Sequence, residues 1–101
     1  MNQMQQMLMN AQRMQRELQK AHAALAEKEF KVSKGGAVTV TVLGSKEIKA
    51  IDIDKDAFDA DNKEMVEEMI VVALNELFDQ IDEEEAAIEE KLAGGAKGFG
   101  F

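Results

Sequence analysis

Arg13, Arg16 and Lys20 recur at steps of three and four, the spacing that gathers side chains on one face of a helix. Gln5, Gln6, Gln12 and Gln19 also lie away from the apolar seam; all of these residues offer hydrogen-bond donors, and none of them is acidic. A guanidinium or ammonium neutralises a phosphate and releases its counterions, and a carboxamide adds a neutral contact to the same backbone. Lys28, Lys31 and Lys34 continue the positive character beyond the helix. These six cations are the candidate contacts to a nucleic-acid backbone, gripped with little reading of base sequence; the alternative is an ordinary solvated face with solubilising bases.

Other chemistries find little support. The chain has no cysteine, which removes disulfides, thiolate zinc sites and cysteine nucleophiles together. His22 is the sole histidine and reads as a residue on the flank of a helix. Ser33 and Ser45 fall near turns without the partners of a triad, and no Gly-rich loop matches a phosphate-binding or dinucleotide fingerprint. Asp52, Asp54 and Asp56 match the first three ligand positions of a calcium loop, but Ala57 stands where that loop needs Gly and Lys63 where it needs a bidentate Glu. This segment reads as a solvated strand end followed by a helix cap. The expectation is a non-enzyme without metal or cofactor.

The element that must position the cations is a helix over residues 3–27. Met4, Met7, Ala11, Met14, Leu18, Ala21 and Leu25 alternate steps of three and four, a heptad seam opposite the basic face. Such a stripe needs a partner, because a lone helix is marginal in water. Helix packing within the protomer or a dimer is the expected use of this Met-rich seam; the alternative is an adaptable peptide groove. Over residues 29–54 the period falls to two. Phe30 and Val32 lead to a Gly35-Gly36 turn, Val38, Val40 and Val42 form a second strand, and Gly44-Ser45-Lys46 forms a second turn. Ile48 and Ala50 then lie out of phase with Ile51 and Ile53, so the third strand carries a bulge or is covered on both faces. After a connection at 55–61, Asp61 and Glu64 have the spacing of an N-cap and its reciprocal partner. A long helix over about 62–93 follows, with a stripe at Val66, Ile70, Ala73, Leu77, Ile81, Ile88 and Leu92. Its first half, widened by Met65, Met69, Val72, Leu74 and Phe78, is expected to be buried most deeply, and its second half to project. Gly94-Gly95 is expected to end it, leaving 94–101 as a flexible Gly-rich tail. The predicted class is α+β, an α-β-β-β-α protomer in one domain, 1–93, with a three-stranded antiparallel sheet between two long helices.

Net charge is −8, which at first argues against nucleic acid, but its distribution matters more. Residues 1–34 hold six bases and three acids, for +3; residues 64–101 hold two bases and eleven acids, for −9. The acids at 82–85 and 89–90 read as a solvated helix face, with a docking surface for a basic protein partner as the functional alternative. No basic segment precedes an apolar run at the start, and no stretch approaches the ~18 apolar residues of a membrane helix, so a cytoplasmic protein without membrane attachment is expected.

In this order the elements resemble the YbaB/EbfC family over nearly the whole chain. The carrying residues are Met4-Gln5-Gln6-Met7 through Arg13-Met14-Gln15-Arg16-Glu17-Leu18, the Gly-Gly turn into the Val/Thr strand ending at Val42, and Ile51-Asp52-Ile53-Asp54. The most specific piece runs from Asn62-Lys63-Glu64-Met65 to Val72-Ala73-Leu74-Asn75. The resemblance implies a homodimer joined through its central body, with projecting helices in a tweezer-like shape suited to a duplex. It also implies non-enzymatic, nucleoid-associated DNA binding of broad or weak sequence preference, with roles in nucleoid organisation and gene expression. Ala60 stands where the family has Pro, and the very acidic distal helix would repel phosphate. A rival reading is an acidic, chaperone-like, prefoldin-like dimeric module without direct DNA binding; a three-stranded meander fits it less well than paired hairpins would.

Overall fold

The structure is a computed structural model that describes residues 2–97, with side chains as far as residue 92. The first helix, α1 (Gln3–Glu27), is capped by Asn2, whose Oδ1 accepts from the Gln5 amide at 2.8 Å. Three strands follow, β1 (Glu29–Lys34), β2 (Val38–Leu43) and β3 (Ile48–Ile53), then a 3-10 turn (Ala60–Asn62) and the long helix α2 (Lys63–Lys97). The strands pair antiparallel in the order β1-β2-β3, as the period-two pattern required. Gly35 and Gly36 both take positive φ, the backbone that a tight hairpin needs at its two central positions. The protomer is elongated, 71 × 23 × 14 Å.

The phase slip in β3 is a bulge. Thr41 pairs with Ala50 but Val42 pairs with Ile48, so Lys49 is the extra residue. Its effect is to return Ile48 to the face that carries Ile51 and Ile53, opposite Val42, Val40 and Val38. Phe30, Val38, Val40 and Val42 are buried on that face beneath Val66, Ala73, Leu77 and Ile81 of α2. Ala73, fully buried, is the small residue that lets the helix approach the sheet.

Two expectations are corrected, one at each end of α2. Its first half is buried most deeply, as expected, through Val66, Ala73 and Leu77, although Met65, Val71 and Val72 on its flanks are exposed. The helix lies over β1 and β2, so the flanks of its stripe stay open in a single chain. Asp61 does not cap α2 but lies within a 3-10 turn that runs into it; Asp59 caps that turn, its Oδ1 accepting from the Asp61 amide at 2.9 Å. Nor does α2 stop at Gly94-Gly95, since it continues to Lys97. A glycine costs a helix about 1 kcal/mol but still offers its N–H to the ladder. The proposed boundary at residue 93 therefore falls inside a helix, and the end of the tail, 98–101 with Phe99 and Phe101, lies outside the described residues.

The body holds the end of α1 through the β2–β3 turn. The Gly44 amide donates to the Lys28 carbonyl at 2.9 Å and the Ser45 amide to the Ala26 carbonyl at 3.1 Å, satisfying acceptors left over at the helix end. A Cβ on Gly44 would sit 1.7 Å from the Leu25 carbonyl oxygen. Gly44→Ala is therefore expected to pry α1 from the sheet and destabilise the protein by about 2 kcal/mol or more, read as a lower urea midpoint. An unchanged midpoint would mean that the turn does not anchor the helix.

Candidate nucleic-acid interface

Helix α1 carries Arg13, Arg16 and Lys20 on the side opposite Leu18, Ala21 and Leu25, the part of the seam that turns inward. All three cations are exposed, and among the described residues none enters an ion pair. Arg16 stands with Gln12, Gln15 and Gln19 around a shallow surface hollow. Lys31 is also exposed and unpaired among the described residues; its strand position, between Phe30 and Val32, puts it on the sheet face away from α2.

Lys28 and Lys34 are placed differently. Lys28 Nζ lies 2.7 Å from Glu84 Oε1 and 5.0 Å from the centroid of the Phe30 ring. Lys34 Nζ lies 2.6 Å from Glu76 Oε2. Both pairs span α2 and the start of the sheet, so these lysines tie the body to the long helix. Exposed pairs of this kind contribute little, typically under about 1 kcal/mol, and can be exchanged for another anion at small cost.

The acidic run of α2 is not simply a solvated face. Its distal half packs antiparallel beside the C-terminal half of α1, where His22 Nε2 meets Glu89 Oε1 at 2.8 Å and His22 Nδ1 lies 4.0 Å from Glu85 Oε1. Lys46, in the β2–β3 turn, reaches Asp82 at 2.8 Å. Asp82, Glu84, Glu85 and Glu89 thus face His22 of α1, Lys28 at the junction of α1 and β1, and Lys46 of the turn, a clasp between residues up to 67 positions apart. No local pattern in the sequence marks these partners. His22, read as an ordinary flank residue, is one of its hinges.

Asp54, a member of the calcium-like spacing, and the nearby Asp59 use their side chains as local caps: Asp54 Oδ1 accepts from the Asp56 amide at 2.8 Å, and Asp59 serves as described above. Among the described residues no group of three His, Cys, Asp or Glu side chains converges to hold a metal. Among them, too, no helix is long and apolar enough to cross a membrane.

An exposed row of bases on a projecting helix, with the acids turned toward its inner side, is an arrangement that can meet a polyanion. A family model, the YbaB/EbfC DNA-binding family, matches residues 1–96. The chain belongs to the YbaB/EbfC family. It is 44% identical over 90 residues to a nucleoid-associated protein of Clostridium novyi (strain NT), spanning 88% of this chain and 79% of that one. It is 39% identical over 95 residues to a nucleoid-associated protein of Lachnoclostridium phytofermentans, spanning 93% and 80%. In fold this YbaB/EbfC member is similar to the crystal structure of an uncharacterized protein from Helicobacter pylori, with a TM-score of 0.73 at 20% identity over 92% of this chain and 98% of that one.

Two ammonium groups are held above their ordinary pKa of 10.5: Lys46 by its hydrogen bond to Asp82 and then by that carboxylate's charge, Lys63 by the same two effects from Glu67. A raised lysine pKa adds stability that is complete at neutral pH and is lost only as pH climbs through the raised value. A Lys46→Met variant should therefore lose the part of the alkaline fall in melting temperature that Lys46 supplies, while behaving like wild type in its pH dependence near neutrality. A melting scan from neutral to strongly alkaline pH checks this; identical alkaline slopes would show that the Lys46–Asp82 pair does not form in solution.

Proposed function

We propose that this protein is a nucleoid-associated, double-stranded DNA-binding homodimer, acting in the cytoplasmic nucleoid, that grips the phosphate backbone with low sequence specificity and thereby influences nucleoid organisation and gene expression. The single observation that carries the site is the exposed outer face of α1, whose Arg13, Arg16 and Lys20, the principal contacts, enter no ion pair among the described residues. Lys31 is a secondary contact, and Lys28 and Lys34 are secondary contacts that would exchange Glu84 and Glu76 for phosphate. Family membership supports DNA as the ligand and a non-enzymatic role, and the relatives' names support the nucleoid.

The net charge of −8 sets the strength of this grip. Packed helices lie about 8–10 Å apart, and the basic row is on the far side of α1, so the acids of α2 are roughly 10 Å or more from a phosphate held there. Screening reaches that scale near physiological salt, where the Debye length is about 8 Å. Repulsion is thus largely screened while direct contacts persist, which favours modest affinity.

A dimer through the central body is supported by what the single chain leaves uncovered. Ile48 and Ile51 of β3 remain 47% and 43% exposed on the apolar face of the sheet, and Val71 of α2 remains 56% exposed. Apolar side chains grouped on one side of a small body are a liability unless a second surface covers them.

In a fluorescence anisotropy titration with labelled duplex, binding is expected to weaken steeply with salt. Arg13→Ala/Arg16→Ala/Lys20→Ala should weaken it strongly and flatten the slope of log affinity against log salt by roughly 0.9 per lost phosphate contact. Lys28→Ala should do much less. No binding even at low salt would overturn direct DNA binding and direct attention to a basic protein partner on the acidic distal half of α2. Separately, Ile51→Glu/Val71→Glu is expected to convert the dimer to monomer by light scattering; a variant that stays dimeric would place the interface elsewhere.

A further inference from the structure

The heptad seam of α1 outruns its partner. Its lower positions, Met14, Leu18 and Ala21, are half-buried, and Leu25 is buried in the core. Its upper positions are not covered at all: Met4 is 78% and Met7 70% exposed, with Leu8 beside them at 60% and Ala11 exposed. The same helix-packing surface therefore continues past the end of the contact with α2, at the tip of a protomer 71 Å long. We propose that this tip is a self-association surface that receives the tip of a second copy of the chain, and that it joins protomers brought close together on DNA.

Three features point to a second copy as the occupant. First, the uncovered stretch is the direct continuation of a seam already used for helix packing, and steps of three and four are the knobs that a second helix accepts. Second, charge is absent there. All 12 Lys and Arg and all 20 Asp and Glu lie at Arg13 or beyond, so no charged side chain occupies residues 2–12. A charged partner would find nothing to pair with, whereas identical tips have nothing to repel them, unlike the remainder of a chain of net charge −8. Third, the flanks are self-complementary. Gln3 and Asn10 border the stripe, and a carboxamide both donates and accepts, so it can bond to its own kind across a two-fold axis. In an antiparallel pairing Met4 would stand against Ala11 of the second copy, large against small, and Met7 against Leu8 at the centre.

The size of the surface says when this contact forms. Four side chains per copy fall well short of the ~1,200–2,000 Å² buried by a stable interface. Free in dilute solution the tips stay apart. Held near one another on a duplex, their effective concentration rises and a weak contact becomes occupied. The basic row lies on the opposite side of α1 from the seam, so DNA and a second tip do not compete. This inference rests on the DNA-binding reading only for what concentrates the copies.

The test compares wild type with Met4→Gln/Met7→Gln/Leu8→Gln, which keeps good helix formers and is checked by circular dichroism. One arm measures affinity for a short duplex by anisotropy; another measures capture of a free labelled duplex by protein bound to a bead-tethered duplex. A third follows sedimentation without DNA at high protein concentration. The expected result is unchanged short-duplex affinity, loss of duplex capture, and loss of any concentration-dependent species larger than the body dimer. Capture equal to wild type would overturn the proposal. Short-duplex affinity that falls in parallel with capture would also overturn it, by showing that the tip touches DNA itself. If wild type binds no DNA at all, the DNA reading fails separately and the sedimentation arm decides: wild type that never exceeds the body dimer overturns the tip contact.

Discussion

The antiparallel contact between the C-terminal half of α1 and the distal half of α2 determines how every charge on the projecting arm is used. Leu18, Ala21 and Leu25 turn inward, which forces Arg13, Arg16 and Lys20 outward. The same contact brings His22 to Glu85 and Glu89, and Lys28 to Glu84. Acids that would otherwise spread a repulsive field over the arm are held on its inner side by local partners. If that contact were turned by a quarter of a helix, the bases would face the acids and the outer surface would lose its character.

The sheet is what holds this contact in place. Its core side is a single layer of Val38, Val40, Val42 and Phe30 under Ala73, Leu77 and Ile81, and the bulge at Lys49 keeps the isoleucines of β3 on that side. The β2–β3 turn does two tasks at once: its amides close the end of α1, and Lys46, at a positive φ of 73°, reaches across to Asp82. Body and arm are thereby coupled through one short turn.

Much of this was legible in the sequence because it depends on local periodicity. The seam from Met4 to Leu25, the Gly35-Gly36 turn, the valine alternation of β2 and the phase slip of β3 each follow from residues within a few positions of one another. What could not be read depends on tertiary register. The lysines at 28, 31 and 34 look equivalent along the chain, yet Lys28 and Lys34 meet Glu84 and Glu76 while Lys31 faces solvent on the other side of the sheet. His22 finds Glu89 only because two helices separated by the whole sheet come back together. Met65 and Val72, part of the wide apolar stripe in the first half of α2, stay exposed for a related reason: such a stripe shows that surface must be covered, but not which chain covers it. The continuation of α2 through Gly94-Gly95 reflects a propensity too weak to act as a stop by itself.

Arg13 and Arg16 are the only arginines in the chain, so their side-chain Nε–H groups give two signals that can be followed without ambiguity. The most direct measurement is a proton–nitrogen correlation spectrum of those two groups during titration with a short duplex, at low salt and again near physiological salt. A backbone grip by the outer face of α1 predicts that both signals move as DNA is added and return as salt is raised. If anisotropy shows the duplex bound while both signals stay where they were, the contacts are not on this face, and the account of the arm is wrong.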